Sequence, residues 1–424
     1  MFNKIAQIWK VKDLRNSILY VFVILIIFRI AAHIPVPGVD VAGLKKIFAN
    51  NQLLGLMNVF SAGSMKNFSI VMLGVAPYIT SSIIFQLLVM VIPKLEELSK
   101  EGEYGRAKIN KWTRWLTIPL ALLQAFGMIT LLRQSSGGVL LNLTAWQMVL
   151  SMITITAGTV FMMWLGELIS EKHVGNGISI LIFAGIVSAL PTSLSSSVST
   201  YQSADWINMA IFAVIALITI VGVVIVTEGQ RNIPVTYARQ VRGNKMYGGS
   251  STHLPIRVNQ AGVIPIIFAI SIILIPPTAA QLFLRFNISW IASAARFTIN
   301  LFQNQLFYGI FYFVMVVAFT YFYTAVIFHP DQISENLQKQ GGFIPGIRPG
   351  KTTAEYLQKI VSRVVFTGAL FLGIIAVLPL ITAQFTGSKS LVVGGTSLLI
   401  VVSVVIETVS QINAQLSMRD YEEI

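Results

Sequence analysis

The chain has 424 residues, of which 55% are hydrophobic and 11% charged, and its formal net charge is +13. Soluble domains carry about 25% charged residues, so this composition excludes a soluble globular protein and indicates a polytopic membrane protein. The absence of cysteine excludes disulfides, thiolate metal sites and cysteine nucleophiles.

The amino end is basic, and residues 17–34 then form the first long apolar stretch. This stretch ends in the sequence IPVPG, which offers no small-residue cleavage site of the kind that follows a signal peptide. We therefore expect a first membrane span that is retained in the mature protein.

The second apolar run, residues 69–93, is interrupted by Gly74 and Pro77. A span needs roughly 20 apolar residues, and a proline inside it frees backbone groups that lipid cannot satisfy. The interrupted turn is therefore expected to face protein or a water-filled cavity. The preceding residues 53–67 are too short and too rich in Gly and Ser to cross by themselves.

The whole chain accommodates ten spans, all expected to be helices because open sheets do not survive in lipid. The fold class predicted is an all-α polytopic membrane protein. The spans are residues 17–34, 69–92, 116–132, 146–168, 178–196, 206–226, 261–280, 306–328, 364–383 and 391–411.

Charge and sequence pattern predict how these spans are arranged. With both termini inside, most of the 30 Lys and Arg residues fall in inside segments, as the positive-inside rule requires. Ten spans divide into an amino-terminal half, residues 1–200, and a carboxy-terminal half, residues 201–424, which enter the membrane from opposite sides. The pattern GVxPxI opens the second span of each half, at Gly74 and Gly262, as an inverted repeat would.

Two inside loops are long, residues 228–260 and 329–363, and both mix basic residues with Gly, Pro and aromatic residues. Loops of this size held on rigid spans are common docking sites. We expect partner binding there, with topology enforcement as the alternative use of individual charges.

The sequence contains no recognisable catalytic constellation. Its four histidines are scattered, and residues 346–352 resemble a phosphate-binding loop but have one residue too few between the glycines. We expect no enzyme activity, no metal and no cofactor. A secondary solute transporter is an alternative that the two interrupted spans suggest, but Glu167, Glu228 and Glu407 lie at or near span ends, not at a midplane.

Five runs of sequence are similar to the SecY family, which forms the bacterial protein-translocation channel. They are GVAPYITSSIIFQLL, GTVFMMWLGELISEKHVGNGISILIFAGIVSALP, STHLPIRVNQAGVIPIIFA, LQKQGGFIPGIRPGKTTAEYL and GGTSLLIVV. The resemblance extends along nearly the whole chain with the spans in order.

The resemblance implies a clamshell of two five-span halves around an hourglass pore, in the bacterial plasma membrane, with both termini cytoplasmic. It implies a channel for unfolded secretory proteins that also releases membrane segments sideways through a lateral gate. Implied partners are SecE and SecG subunits, the SecA motor ATPase, the ribosome with its RNA and proteins, signal peptides, nascent polypeptides and membrane lipid.

The resemblance also assigns roles to residues. The pore constriction falls on seven residues, here called the aliphatic set: Val75, Ile79, Ile178, Ile182, Val263, Ile267 and Ile400. The lateral gate involves the second, third, seventh and eighth spans, with a polar cluster of Thr80, Gln124 and Asn259. The plug is residues 53–67, with its motif at Phe60, Ser61, Ala62 and Gly63, and partner docking falls on Arg239, Arg242, Lys245 and Arg348.

Overall fold

A computed structural model describes most of the chain. The residues it describes are 9–36, 61, 63–134, 144–199, 206–237, 240–242, 245–247, 251–284, 289–386 and 389–420.

Every predicted span falls on a helix of the described part. In the amino-terminal half the helices are α1 (Lys12–Ala31), α2 (Ala76–Val91), α3 (Pro93–Lys100), α4 (Glu103–Gln134), α5 (Ala145–Ser170) and α6 (Gly177–Ser199), with a short 3₁₀ helix at Met65–Asn67. In the carboxy-terminal half they are α7 (Trp206–Glu228), α8 (Ile264–Phe283), α9 (Ser289–Gln303), α10 (Gln305–Ile327), α11 (Pro330–Lys339), α12 (Lys351–Thr386) and α13 (Lys389–Asp420).

Length and composition make many of these helices membrane spans. Among the described residues, five stretches are long and apolar enough to cross: Lys12–Ala31, Ala145–Ser170, Gln305–Lys339, Lys351–Leu378 and Leu399–Ser417. The pair α2 and α3, bent by 102° at Ile92, makes a sixth. Shorter apolar helices lie at Gly177–Ala189, Ala213–Glu228 and Ile264–Ala280. The all-α membrane fold predicted from sequence is confirmed.

Polar side chains cap several helix starts, where the first amides have no partner inside the helix. Thr144 and Gln147 form a capping box at α5: the Gln147 amide donates to Thr144 Oγ1, and the Thr144 amide donates to Gln147 Oε1. The amides of Ile178 and Leu306 donate to the side chains of Asn176 and Asn304. These caps define where α5, α6 and α10 begin.

A small sheet occupies the loop before α8, for which the sequence predicted a docking role but no secondary structure. Strand β1 (Gln230–Tyr237) pairs antiparallel with β4 (Ser251–Arg257), and β5 (Gly342–Phe343), from the following loop, pairs with the other edge of β1. Between them β2 (Gln240–Arg242) pairs with β3 (Lys245–Tyr247). The two long loops therefore join in one folded unit, packed on the first turns of α12.

The main hydrophobic core lies at the centre of the helical bundle and draws residues from both halves. Helices α2 and α4 contact α8, and α6 contacts α13, so the halves meet along these pairs. At the same junction Gln415 Nε2 donates to the carbonyl of His173, at 2.9 Å. Large apolar side chains such as Phe22 and Leu217 are about two-thirds exposed on the bundle surface, as expected of groups that face lipid.

Gly158 on α5 provides a test of this packing. A Cβ atom there would lie 2.0 Å from the carbonyl oxygen of Ile70, which is backbone and cannot move aside. We predict that Gly158→Ala destabilises the protein by about 1–3 kcal/mol, the usual cost of overpacking. The measurement is the fraction of protein that survives heating in detergent, read by size-exclusion chromatography.

Gly309→Ala on α10 is the matched control, because a Cβ there meets only ordinary contacts at 3.6 and 3.7 Å. We expect its thermal stability to equal that of the unmodified protein. Equal stability of both variants would contradict the close approach of α5 to the segment before α2.

Candidate functional site

The two GVxPxI segments adopt the same local structure. Gly74 and Gly262 both have positive φ, 55° and 62°, a region that side chains other than glycine rarely adopt. A helix begins two residues later in each case, at Ala76 and at Ile264. The match supports equivalent elements in the two halves of the chain.

The proline of each segment therefore occupies the second position of a helix. Pro77 lies in the first turn of α2 and Pro265 in the first turn of α8. The sequence reading expected Pro77 to interrupt a span in its middle. That was wrong, because the first turn of a helix needs no amide donor and accepts proline. Residues 69–75 are a series of turns, and the regular helix starts after them.

The aliphatic set converges in the central core. Six of its residues are at most 4% exposed, and Ile178 is partly buried against them. They belong to one hydrophobic cluster and come from the starts of α2, α6 and α8 and from the middle of α13. The set thus draws on both halves of the chain and faces inward, not toward lipid.

Several buried polar atoms on the segments that carry the aliphatic set have no hydrogen-bond partner in the described part of the chain. They are Gln86 Oε1 on α2, Asn259 Oδ1 and Gln260 Oε1 just before α8, and Ser403 Oγ on α13. An unsatisfied buried polar atom costs about 1–3 kcal/mol. Such atoms suit a route that admits water or a polar chain.

The predicted gate residues lie on helices α2 and α4 and just before helix α8, and these helices touch. Helices α2, α4 and α10 all contact α8, and Phe268 on α8 packs edge-on against Phe319 and Tyr323 of α10. The hydrogen bonds of the gate residues are local, however. Thr80 donates to the Ala76 carbonyl at 3.0 Å, and Asn259 Nδ2 donates to the Gly262 carbonyl at 3.2 Å.

The third gate residue, Gln124, is half-buried on α4. The sequence reading expected hydrogen bonds between gate side chains, and the bonds of Thr80 and Asn259 described here do not cross between helices. Among the described residues, the gate helices therefore contact one another mainly through apolar packing.

The described part of the predicted plug packs in the amino-terminal half. Ser61 is buried, and its Oγ accepts a hydrogen bond from the Met65 amide at 3.2 Å. Gly63 approaches the α6 backbone at Gly185. Met65 then enters a second core with Phe68 and residues of α4 and α5. Phe60 and Ala62 lie outside the described residues.

Three of the four predicted docking residues lie on the described part of the folded unit formed by the two loops. Arg348 is exposed in the turn between β5 and α12, and its carbonyl accepts from Thr353 Oγ1 at 2.8 Å. Ser334 on α11 donates to the Gly350 carbonyl at 2.6 Å, which fixes the other side of the turn. Arg242 and Lys245 pair in the β2–β3 hairpin. Arg239 lies outside the described residues.

Two polar links between distant segments were not apparent in the sequence. Arg114 Nε on α4 lies 2.6 Å from Glu167 Oε1 on α5. Arg257, at the end of β4, donates to Ser410 Oγ on α13 at 3.1 Å. The partners in each pair are far apart along the chain, so no spacing rule could have found them. The second link attaches the sheet directly to a helix of the aliphatic set.

Comparison with known sequences gives a consistent result. The model of the SecY family matches residues 69–409. The chain is 41% identical to the protein translocase subunit SecY of Streptomyces coelicolor, over 100% of this chain and 99% of the relative. It is 43% identical, with the same coverage, to the protein translocase subunit SecY of Halalkalibacterium halodurans.

Solved structures show a similar fold. A protein-conducting channel matches with a TM-score of 0.64 at 19% identity, covering 93% of this chain and 91% of the other. The canine Sec61 channel, seen in a ribosome complex from the endoplasmic reticulum, matches with a TM-score of 0.62 at 18% identity. It covers 93% of this chain and 91% of the other.

Ile182 tests whether the aliphatic set excludes ions. Narrow apolar constrictions dewet and offer an ion nothing in place of its hydration shell. We predict that Ile182→Asn raises potassium flux several-fold in proteoliposomes that contain equal amounts of protein. The readout is potassium release after a voltage is applied.

Leu181→Asn is the control, because Leu181 is equally buried on α6 but is directed at Gly166 of α5. It is expected to lower stability without raising flux per folded molecule. Equal flux from both variants would contradict an ion-excluding role specific to the aliphatic set.

Proposed function

This chain belongs to the SecY family, and we propose from that premise that it is the channel-forming subunit of a protein translocase. The observation that carries the proposal is the convergence of the aliphatic set, drawn from both halves, in the central core. In this role the protein conducts unfolded secretory chains across the membrane and does not itself catalyse a reaction.

The aliphatic set supplies the seal that such a channel needs. Branched aliphatic side chains exclude hydrated ions because they cannot replace bound water. The same side chains make only non-directional contacts, so they yield to a polypeptide of any sequence and close again behind it. The unsatisfied polar atoms of Asn259, Gln260 and Ser403 supply hydrogen-bonding groups near this seal.

The junction of α2 and α4 with α8 and α10 serves as the lateral gate. Interhelical hydrogen bonds in membranes contribute about 0.6–2 kcal/mol each. Since Thr80 and Asn259 bond within their own segments, separating the helices does not break those bonds. The apolar helix of a signal peptide or nascent membrane protein replaces the lost packing and then passes into lipid.

The plug closes the route on the outer side. Residues 53–67 carry the family motif, and the described end of this segment is anchored by Met65 in the core of the amino-terminal half. Anchoring at this end is through side-chain packing and not through a membrane helix, so movement of the plug does not require unfolding of the helices.

The chain is oriented with both termini in the cytoplasm of a bacterial cell, in the plasma membrane, and its halves are residues 1–200 and 201–424. The Gly74 and Gly262 segments, with matching backbone conformation, support the equivalence of the two halves. Opposite insertion of the two halves follows from five spans in each.

The folded unit of the two loops is the docking surface for driving partners. The SecA motor ATPase supplies the energy of ATP hydrolysis, and the ribosome supplies the nascent chain. Arg348, Arg239, Arg242 and Lys245 are the contact residues, and binding to ribosomal RNA through them would weaken as salt increases. The small SecE and SecG subunits complete the complex.

Single-cysteine variants test the proposed route of the polypeptide, because the natural sequence has no cysteine that would also react with a thiol-reactive probe. We predict that a stalled secretory chain with a thiol-reactive probe crosslinks to Ile79→Cys and Ile267→Cys. Ile374→Cys is the control, because Ile374 is 56% exposed on the outside of α12. Crosslinking at Ile374 alone would exclude the proposed route.

Arg348 tests the docking surface. We predict that Arg348→Glu reduces SecA-driven transport into membrane vesicles at least several-fold, because it reverses the charge of an exposed side chain held in a rigid turn. Helix content and thermal stability should not change. Lys339→Glu makes the same charge change on exposed α11 and should leave transport intact, whereas equal loss in both variants would indicate a general charge effect.

A further inference from the structure

A groove lies on the loop-bearing side of the carboxy-terminal half, between the start of α11 and the first three turns of α12. Its volume is about 800 Å³. Its lining is rich in charged and polar side chains: Pro330, Asp331, Lys351, Ala354, Glu355, Gln358, Lys359, Ser362 and Arg363. None of these residues has been given a role in the channel proposed above.

The α12 wall of the groove is a regular ladder of charges. Lys351, Glu355, Lys359 and Arg363 follow one another at intervals of four residues, so they lie on one face of the helix, about 6 Å apart along its axis. All four side chains are exposed. Charge sign therefore alternates with height above the membrane, from basic at Arg363 and Lys359 to acidic at Glu355 and basic again at Lys351, which is farthest from the membrane.

This ladder does not neutralise itself. Elsewhere in the described part of the chain, the exposed pairs Glu96–Lys100 and Glu335–Lys339 have the same spacing and form ion pairs at 2.7 and 2.9 Å. Among the described residues no ion pair within 4.0 Å involves Glu355. Its carboxylate and the adjacent cations remain available to an external group.

The groove ends where the membrane begins. Below Arg363 the same face of α12 continues with Phe366 and Ile374, which are 54% and 56% exposed on the bundle surface. Lys359 and Arg363 thus lie at the boundary between the polar and apolar parts of one helix face. This is the level at which phospholipid phosphates are found, and basic pockets at this level bind lipid headgroups.

We propose that this groove binds one aminophospholipid, a lipid whose headgroup joins a phosphate to a primary ammonium through a short ethylene link. The phosphate accepts hydrogen bonds from Arg363, Lys359 and the hydroxyl of Ser362. The ammonium donates to the carboxylates of Glu355 and Asp331, on the two walls of the groove. One acyl chain lies along Phe366.

The carboxylates decide between lipid classes. A purely anionic headgroup would satisfy Lys359 and Arg363, but it would bring negative charge toward Glu355 and Asp331. A headgroup with both charges places its phosphate against Lys359 and Arg363 and its ammonium against Glu355 and Asp331. Charge complementarity therefore favours phosphatidylethanolamine over phosphatidylglycerol at this position.

Native mass spectrometry of the purified full-length protein tests the proposal directly. The protein is delipidated and incubated with phosphatidylethanolamine, phosphatidylglycerol or phosphatidylcholine of identical acyl chains. We expect phosphatidylethanolamine to be retained about tenfold better than phosphatidylglycerol, the factor that corresponds to one charge-assisted hydrogen bond. Phosphatidylcholine, whose ammonium has no N–H, should be retained less well than phosphatidylethanolamine.

Two double variants separate the headgroup contacts. Glu355→Gln with Asp331→Asn should abolish the preference for phosphatidylethanolamine by lowering its retention about tenfold, without lowering that of phosphatidylglycerol. Lys359→Gln with Arg363→Gln should lower the retention of both lipids. Glu335→Gln, which removes an exposed carboxylate outside the groove lining, is the control and should change neither.

Three results would overturn the proposal. One is retention of phosphatidylglycerol equal to that of phosphatidylethanolamine by the unmodified protein. Another is a preference that survives Glu355→Gln with Asp331→Asn. The third is crosslinking of a co-purified polypeptide, and of no lipid, to a photoreactive side chain at Gln358, which would assign the groove to a protein partner. None of these results bears on translocation, so the channel proposal is tested separately.

Discussion

The satisfaction of backbone hydrogen bonds in an apolar solvent is the constraint on which the structure depends. Hydrocarbon offers no partner to a free amide or carbonyl, so irregular backbone at membrane depth must be enclosed by protein or water. The turns at residues 69–75 and the segment before Ile264 are irregular, and their apolar residues Val75 and Val263 are buried at the centre of the bundle. Enclosing these two helix starts brings the two halves of the chain together, and that junction is where the aliphatic set lies.

A channel for polypeptides must be sealed at rest and must also open for a threading chain, and this arrangement meets both requirements. In the proposed channel the seal comes from aliphatic packing, which is strong in sum but has no preferred direction for a threading chain. In the proposed lateral gate, the helices can separate without breaking the hydrogen bonds of Thr80 and Asn259, because both side chains bond within their own segments. Meanwhile Arg257 links the end of β4 to Ser410 on α13. Five residues separate Arg257 from Val263 of the aliphatic set, so the sheet lies close along the chain to the central core.

Local sequence patterns predicted much of the fold, because hydrophobic length and charge asymmetry are strong signals in a membrane protein. Each of the ten predicted spans overlaps a helix, and the repeated GVxPxI pattern predicted the two segments that share a positive-φ glycine. The interpretation of the proline in this pattern was incomplete, because a proline inside an apolar run does not by itself show whether a helix bends or begins there. The strands β1 and β4 were missed, because short polar segments between spans carry little periodicity. The helix α9 was missed because its 15 amphipathic residues are too few and too polar to form a span. The inward orientation of the aliphatic set was predicted from the family resemblance. Composition could not predict it, because isoleucine occurs on both the lipid-facing and the core-facing sides of membrane helices.

The most direct test of the central claim uses the variant with cysteine at both Ile79 and Ile267, on the contacting helices α2 and α8. The two thiols are joined by a short cleavable bifunctional reagent, and transport of a secretory protein is measured before and after cleavage. If Ile79 and Ile267 converge on a seal that must widen during transport, we expect the two thiols to be joined efficiently in the resting protein. Transport should stop while the link is intact and should recover when the link is cleaved. Transport at the full rate through the joined protein would contradict the account.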